Sequence, residues 1–453
     1  MVNLDVLVVG GGTSGERAAS YALGDGRSVG MVEKGAVGGA CIFNACIPTK
    51  ALVHAARAYK QMQRADFFGL PVVTEGAEYR KVKAFKDRIV TDIGTGRDES
   101  WLKRGGQLFR GIARFKSAHE VVVDDTVIYA RNIIISTGSL PAAPPIPGLS
   151  ETGYITNLEA MELDTVPERL AIIGGGPVGV EFAQVFSAFG ASVHIVEMMP
   201  RLLSLEDEDI SFALEESLRS NGVLISTSVK VNGVRSVSSG KVLTLQREDG
   251  GEEELECDEI MVATGRKPNM EELNLPATGV ETTKRGITVD ASMQTSVPHI
   301  WAIGDVTGTY FFTYVAGDQA RAAALNATSE SRKEMDYSVL PRSTFCDPEI
   351  ASVGLTENQA REQGYRVKAG TFNYADLTRP IVMGDTEGFV KIVAEEGSGR
   401  ILGGHIIGSE ASTLIHEIAV AVAAGASVSR VGDVLHTYPT FSEGIRYACQ
   451  SLE

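Results

Sequence analysis

Leu4-Asp5-Val6-Leu7-Val8-Val9-Gly10-Gly11-Gly12-Thr13-Ser14-Gly15 is the stretch that decides the fold. A β-branched apolar run passes into a G-x-G-x-x-G turn and then into the helix-prone Glu16-Arg17-Ala18-Ala19, the strand–turn–helix context of a dinucleotide-binding unit. Gly10 permits the tight turn, Gly12 lets backbone approach a pyrophosphate, and Gly15 allows close helix packing. The amides of the first helical turn then face the phosphates. A second strand, Val29 to Val32, ends in Glu33, a carboxylate able to accept both ribose hydroxyls.

The pattern recurs. Leu170-Ala171-Ile172-Ile173-Gly174-Gly175-Gly176-Pro177-Val178-Gly179 repeats the strand and turn, and Val193-His194-Ile195-Val196-Glu197 repeats the strand that ends in an acid. The last glycine precedes the acid by 18 residues in both copies, Gly15 to Glu33 and Gly179 to Glu197. Two such sites imply two dinucleotides, most simply a resident flavin and a visiting nicotinamide. Glu197 favours the 2′-hydroxyl of NAD(H) and repels the 2′-phosphate of NADP(H); Arg201, four residues on, leaves NADP(H) the less favoured choice.

With 453 residues the chain exceeds what one hydrophobic core supports and predicts several domains. Its 43% hydrophobic and 22% charged residues are those of an ordinary globular protein, and a formal net charge of −16 argues against a nucleic-acid binder. No stretch is long and uncharged enough to predict membrane insertion. The first apolar run lacks the basic flank and cleavage site of a signal peptide, so a cytoplasmic location is expected.

Of the five cysteines, Cys41 and Cys46 stand close together in Gly38-Gly39-Ala40-Cys41-Ile42-Phe43-Asn44-Ala45-Cys46-Ile47-Pro48-Thr49-Lys50, and from Ala51 the sequence reads as helix. On an ideal helix, residues five apart have α-carbons roughly 8 to 9 Å apart, whereas a disulfide needs about 7 Å or less. The backbone between the two must therefore loop or distort. With Pro48 in the first turn, Cys46 falls at a helix N-terminus, where the dipole favours a thiolate. A zinc half-site would need a second ligand pair, and no spacing of the other cysteines or of the histidines supplies one. The pair reads as redox-active, with no metal site.

Together with Ile135-Ser136-Thr137-Gly138-Ser139, Ala263-Thr264-Gly265-Arg266-Lys267-Pro268-Asn269, Ile303-Gly304-Asp305 and Tyr438-Pro439-Thr440-Phe441-Ser442-Glu443, these motifs resemble the pyridine nucleotide-disulfide oxidoreductases, the class of dihydrolipoamide dehydrogenase, glutathione reductase and mercuric reductase. The resemblance spans essentially the whole chain. It implies FAD and NAD(H) as cofactors and a homodimer. The implied fold is α/β, with two Rossmann-like dinucleotide-binding domains and a C-terminal α+β dimerisation domain. The segments expected are 1–148 (FAD-binding), 149–266 (NAD-binding), 267–336 (central, completing the FAD side) and 337–453 (interface). On residues, Cys46 resembles the thiol beside the flavin that forms the charge-transfer complex, and Cys41 the outer thiol that exchanges with substrate. Lys50 and Glu181 resemble the ion pair beside the flavin's reactive nitrogen. Asp305 resembles the carboxylate that holds the ribityl chain, Gly138 lines the FAD site, and Gly265 lies on the corresponding nicotinamide-side turn.

One position departs from the common pattern. Most members carry His where this chain has Tyr438, followed five residues later by an orienting acid, here Glu443; His436 falls two residues early. A phenol, with a reference pKa of about 10 against about 6.5 for imidazole, is a proton donor rather than a base at neutral pH. The expected activity is dithiol/disulfide exchange most like dihydrolipoamide dehydrogenase, with a low-mass disulfide or a lipoyl-bearing protein as substrate. Tyr438 also resembles mercuric reductases, which makes a soft-metal-ion reductase the alternative. The C-terminal Cys-Cys pair of those enzymes is absent here, although a Cys449 from each subunit could approach the active site. A non-catalytic, redox-sensing flavoprotein subunit is the third reading.

Overall fold

The run that opens the sequence forms the strand Val2–Val9, central in a mixed sheet and parallel to both neighbours, Val29–Glu33 and Thr126–Ile135. In the computed structural model, residues 1–73, 76–330 and 332–453 are described. They divide into two units.

The first unit comprises Met1–Ala51, Ala84–Ala142 and Gly265–Asp336. Its sheet runs Gln107–Arg110, Val29–Glu33, Val2–Val9, Thr126–Ile135, Glu120–Val123, Arg114–Phe115, and Ile300–Ala302 pairs in parallel with the last residues of Thr126–Ile135. Residues from beyond position 265 thus return to the sheet begun at the N-terminus. Val9 lies opposite both Val32 and Ile135. Gly10, Glu33 and Ser136 therefore emerge together at the carboxyl edge, where sheets of this kind bind ligands. The helix Thr13–Gly24 packs on one face through Ala18, Ala19 and Ala22, small residues that bring it close to the strands.

The second unit comprises Leu52–Lys83, Ala143–Thr264 and Tyr337–Glu453. A second parallel sheet runs Leu224–Ser226, Ser192–Val196, Arg169–Ile173, Glu259–Val262. Ile173 lies opposite Val196 and Val262, which brings Gly174, Glu197 and Ala263 to one edge as in the first sheet. The C-terminal part is a five-stranded antiparallel sheet, Arg342–Thr344, Ile350–Gly354, Ile401–Ile407, Phe389–Glu395, Val367–Asn373, packed against the helices Ala411–Ala423 and Glu443–Gln450. The buried Lys391 ammonium of its fourth strand is compensated by Asp207 at 2.9 Å, Asp209 at 2.6 Å and Glu357 at 3.0 Å, as a buried charge requires.

Helix begins earlier around the cysteines than the sequence suggests. Gly39–Phe43 is already a short helix, the chain breaks at Asn44 and Ala45, and Cys46–Gln63 starts a new one. The break is the distortion that the five-residue spacing demands, and it lets the two sulfurs approach without unwinding the second helix.

Candidate active site

Each glycine motif is shaped by its own strand ends. Gly10 has φ +101° and abuts the Ser136 carbonyl, and Gly174 has φ +111° and abuts Ala263; any side chain there collides with backbone. Gly15 and Gly179 are pressed on the carbonyls of Gly10 and Gly174. The middle glycines differ. A Cβ on Gly12 would meet only Gly39 Cα, at 4.0 Å, and one on Gly176 would meet nothing within 4 Å. The protein's own packing does not require glycine at these two positions. The open space lies at the first turn of a helix, where a pyrophosphate fits and a side chain would displace it.

The acids repeat down to their hydrogen bonds. Glu33 accepts from the Gly11 amide at 2.7 Å and the Gly35 amide at 2.7 Å. Glu197 accepts from the Gly175 amide at 2.5 Å and the Met199 amide at 2.7 Å. Each oxygen keeps a free lone pair for a ribose hydroxyl. Arg201 is turned onto its own loop, donating to Glu208 at 3.0 Å and to the carbonyls of Ser204 and Glu206 at 3.1 and 3.3 Å.

The motifs around Gly138 and Gly265 clasp one another. Asn269 donates from its amide N–H to the Gly138 carbonyl at 2.9 Å and from Nδ2 to the Thr137 carbonyl at 3.2 Å, and Thr137 Oγ1 donates to the Asn269 carbonyl at 2.6 Å. Gly138 and Gly265 both have positive φ and open space beside them. Ser139 Oγ donates to Asp305 at 2.5 Å while accepting from Arg266 Nε at 2.7 Å. Burial pushes the Asp305 carboxyl up, and the Ser139 bond and Arg266 oppose that shift. Ser139, Arg266 and Asn269 were not singled out from sequence as site residues, although all three lie inside the quoted motifs.

Both cysteines are free thiols, partly buried, and hydrogen-bonded to each other. Cys46, as the first residue of its helix, is pulled down to about 6. The bond from Cys41 contributes most, followed by one from Thr313, the Lys50 ammonium one turn along and the backbone amide; burial opposes them. Cys41 is pushed well above the ordinary thiol range by donating to Cys46, by burial and by its neighbour's charge. The opposite shifts favour a state in which the pair shares one proton, held on Cys41, with the negative charge on Cys46. Thr313 was not found by sequence reasoning.

Glu181 is 3% exposed on the helix Pro177–Ala188 and accepts from the Phe345 amide at 3.0 Å. Gln184, three residues on, grips the same loop, and Asp347 N donates to its Oε1 at 2.7 Å. Glu181 is therefore not the surface acid that a helix position allows.

At the C-terminus, Tyr438 is 68% exposed and its phenol donates to Thr378 Oγ1 at 3.3 Å. The five-residue spacing leads to an expectation that Glu443 orients it, and this needs correction. Glu443 is buried, accepting from the Thr440 amide at 2.9 Å and from Tyr447 OH at 3.3 Å. It fixes the turn that carries the tyrosine rather than the phenol itself, because its place at the start of a helix aims it at the preceding loop's amides. His436 is held by Glu417 at 2.9 Å and the Val434 carbonyl at 2.9 Å. Cys449, on the last helix, is fully buried in the core, and burial pushes its thiol up to about 12.

Among the described residues, no helix is long and apolar enough to cross a membrane, and no group of three or more His, Cys, Asp or Glu could hold a metal ion. Residues 4–320 match the family described as pyridine nucleotide-disulphide oxidoreductase, and residues 340–449 match its dimerisation domain. A mercuric reductase of Streptomyces lividans is 36% identical over 99% of this chain and 96% of its own length. A dihydrolipoyl dehydrogenase of Thermus scotoductus is 36% identical over 100% of this chain and 98% of its own. The Cu(II) complex of RclA, the HOCl-induced flavoprotein disulfide reductase of Escherichia coli, superposes with a TM-score of 0.90 at 28% identity and covers 100% of both chains. The chain belongs to the pyridine nucleotide-disulphide oxidoreductase family, flavoprotein disulfide oxidoreductases that use FAD and NAD(P)H.

Proposed function

We propose that this protein is an NADH-dependent disulfide reductase working through Cys41 and Cys46, with a low-mass disulfide or a lipoyl-bearing protein as substrate. The observation that carries the reading is the placement of the sulfur pair: Cys46 opens the helix Cys46–Gln63 with the Thr313 hydroxyl 3.4 Å from its Sγ, and Cys41 lies in the short helix Gly39–Phe43 across the break in the chain. FAD would be held by Gly10, Gly12, Gly15, Glu33, Gly138 and Asp305, with Lys50 beside its reactive ring. NADH would be held by Gly174, Gly176, Gly179 and Glu197. The chemistry these cofactors supply when bound is two-electron reduction of the Cys41–Cys46 disulfide.

The remaining steps belong to the chain's own side chains. The Cys41 sulfur attacks one sulfur of the substrate, its proton passing to the Cys46 sulfur, and the first substrate thiolate leaves. Cys46 then gives up that proton and attacks Cys41 Sγ, which re-forms the internal disulfide and expels the second thiolate. Two product thiols need two protons and the pair holds one. The second comes through a general acid, the role assigned to Tyr438 of the partner subunit. The net reaction is NADH, a proton and a disulfide giving NAD⁺ and two thiols.

Steady-state oxidation of NADH with lipoamide, with small linear disulfides and with Hg(II) or Cu(II) tests the assignment. Turnover of disulfides is expected. Turnover of the metal ions without any disulfide would replace it with the soft-metal-ion reading, which the mercuric reductases among the relatives favour.

Two narrower results are expected. The carboxylate at Glu197 and the sequestered Arg201 should make kcat/KM for NADH exceed that for NADPH by on the order of a hundredfold; equal values would remove Glu197 from the specificity role. Gly176→Val should raise the KM for NADH at least about tenfold while leaving the melting temperature within about 2 °C, because only the incoming phosphates meet the new side chain. Gly179→Ala, which drives a methyl into the Gly174 carbonyl, should lower the melting temperature instead. Calorimetry beside kinetics separates the two.

A further inference from the structure

The loop that follows Glu197 is tied at both ends. At the near end Glu197 accepts from the Met199 amide at 2.7 Å, and the Leu203 amide donates to the Gly175 carbonyl at 3.0 Å. At the far end the C-terminal sheet holds Glu206 and Asp207, which are 9% and 3% exposed. Arg342 grips both oxygens of Glu206, from Nε at 3.0 Å and Nη2 at 3.1 Å, the fork that suits a guanidinium to a carboxylate. Asp207 accepts from Lys391 at 2.9 Å and from the Glu357 amide at 3.1 Å. Between these ties lies Arg201, bonded to Glu208 and to the carbonyls of Ser204 and Glu206. Both carbonyls belong to the turn that the Glu206 amide closes on the Leu203 carbonyl at 2.8 Å. The Arg201 Nε is buried and has no acceptor among the described residues.

We infer that Arg342 is a specificity-determining positioning residue for the nicotinamide site: by fixing Glu206 it holds the turn that keeps Arg201 occupied, and so denies a guanidinium to a 2′-phosphate at Glu197. A guanidinium with a buried, unpaired N–H gains by leaving for a phosphate. What retains Arg201 is the set position of its carbonyl acceptors, and Arg342 sets it from a strand 136 positions further along the chain. Lys391 ties the neighbouring Asp207, the N-cap of the helix Glu208–Ser220, whereas Arg342 ties the residue whose own carbonyl Arg201 grips. Glu197 discriminates against NADPH by repulsion, and the anchored turn adds to this by withholding the attractive partner. The inference rests on Glu197 marking the ribose of the nicotinamide nucleotide, as proposed above.

The test is Arg342→Leu in the FAD-loaded enzyme, read as the ratio of kcat/KM for NADH to that for NADPH and as binding of 2′,5′-ADP and 5′-ADP by calorimetry. The ratio should fall about tenfold, with kcat at saturating NADH within about twofold of native, and 2′,5′-ADP should bind about tenfold tighter while 5′-ADP gains nothing. Glu206→Gln, which loosens the same pair from the other side, should move both readings in the same direction, and Arg342→Lys should restore most of the native ratio. Adding Arg201→Ala to Arg342→Leu should remove the gain in 2′,5′-ADP binding. A general loss of stability lowers the folded fraction but leaves the ratio unchanged, since both nucleotides meet the same enzyme. A native ratio in Arg342→Leu, or a gain in 2′,5′-ADP binding that survives Arg201→Ala, overturns the inference. If Arg342→Leu does not fold, Glu206→Gln carries the same measurements. Failure of the underlying reading looks different: Glu197→Ala would then leave the KM for NADH and the binding of both ADP probes in place, whatever Arg342 does.

Discussion

Replacing Cys46 with serine is expected to abolish disulfide turnover, by on the order of 10³-fold or more, because a serine hydroxyl at that position neither ionises near neutrality nor closes a disulfide. Cys41→Ser should abolish turnover equally and yet give a different spectrum. The bond from Cys41 is the largest influence holding Cys46 down near 6, and a serine hydroxyl can replace it. Cys41→Ser should therefore keep a Cys46 thiolate, and with it the long-wavelength absorbance that a thiolate gives against oxidised flavin, down to about pH 6. Cys41→Ala removes the donor, so the same band should fade at a higher pH. The sign follows from the acid form: Cys46 loses its charge as pH falls through its pKa, and a higher pKa moves that loss upward. A visible titration of the three variants decides the matter. Retention of the band in Cys46→Ser, or coincident titrations of Cys41→Ser and Cys41→Ala, would contradict the division of roles between the sulfurs.

The parts of this site that could be read from sequence are those whose physics is local. A glycine that must turn the chain and an acid at the end of the next strand are fixed by a few neighbours, so their spacing survives as a pattern, and the two copies match down to Gly11–Glu33 and Gly175–Glu197. The Cys41–Cys46 spacing implied a broken helix for the same reason. What escaped is long-range and carried by small polar groups. Thr313 meets Cys46 across 267 positions, and Ser139 meets Asp305 across 166. A hydroxyl that gains its partner only when sheets assemble leaves no periodic trace. Glu443 misled for the opposite reason. Its spacing from Tyr438 was legible, but spacing does not say which of several nearby donors a carboxylate will take, and the Thr440 amide takes it. The first segment of the first unit also ends inside the helix Cys46–Gln63, at Ala51, a boundary that no composition change marks.

Tyr438 carries the second large expected effect. The second proton of the reductive reaction comes from outside the sulfur pair, and Tyr438→Phe removes the proposed donor while keeping the ring. A fall in kcat for disulfide reduction of about a hundredfold is expected, the lower end of what general acids contribute, with flavin reduction by NADH unaffected. Tyr438→His adds a signature. The ratio of forward to reverse kcat/KM is fixed by the overall equilibrium, so the substitution moves the pH at which each is greatest rather than the balance itself. An imidazolium donor is lost as pH rises through about 6.5. The reductive profile of the variant should therefore fall above that point, where the tyrosine enzyme holds its rate. A native rate in Tyr438→Phe would end the assignment. Its location in the partner's site is tested by mixing inactive subunits. A hybrid of one Cys46→Ser chain and one Tyr438→Phe chain has one site with an intact sulfur pair and an intact tyrosine if the tyrosine reaches across, and none if it acts within its own chain. Recovery of about half the native activity per hybrid dimer, about a quarter for an equal mixture that reassorts at random, is the expected result; no recovery, with hybrids shown to form, would place the tyrosine in its own subunit.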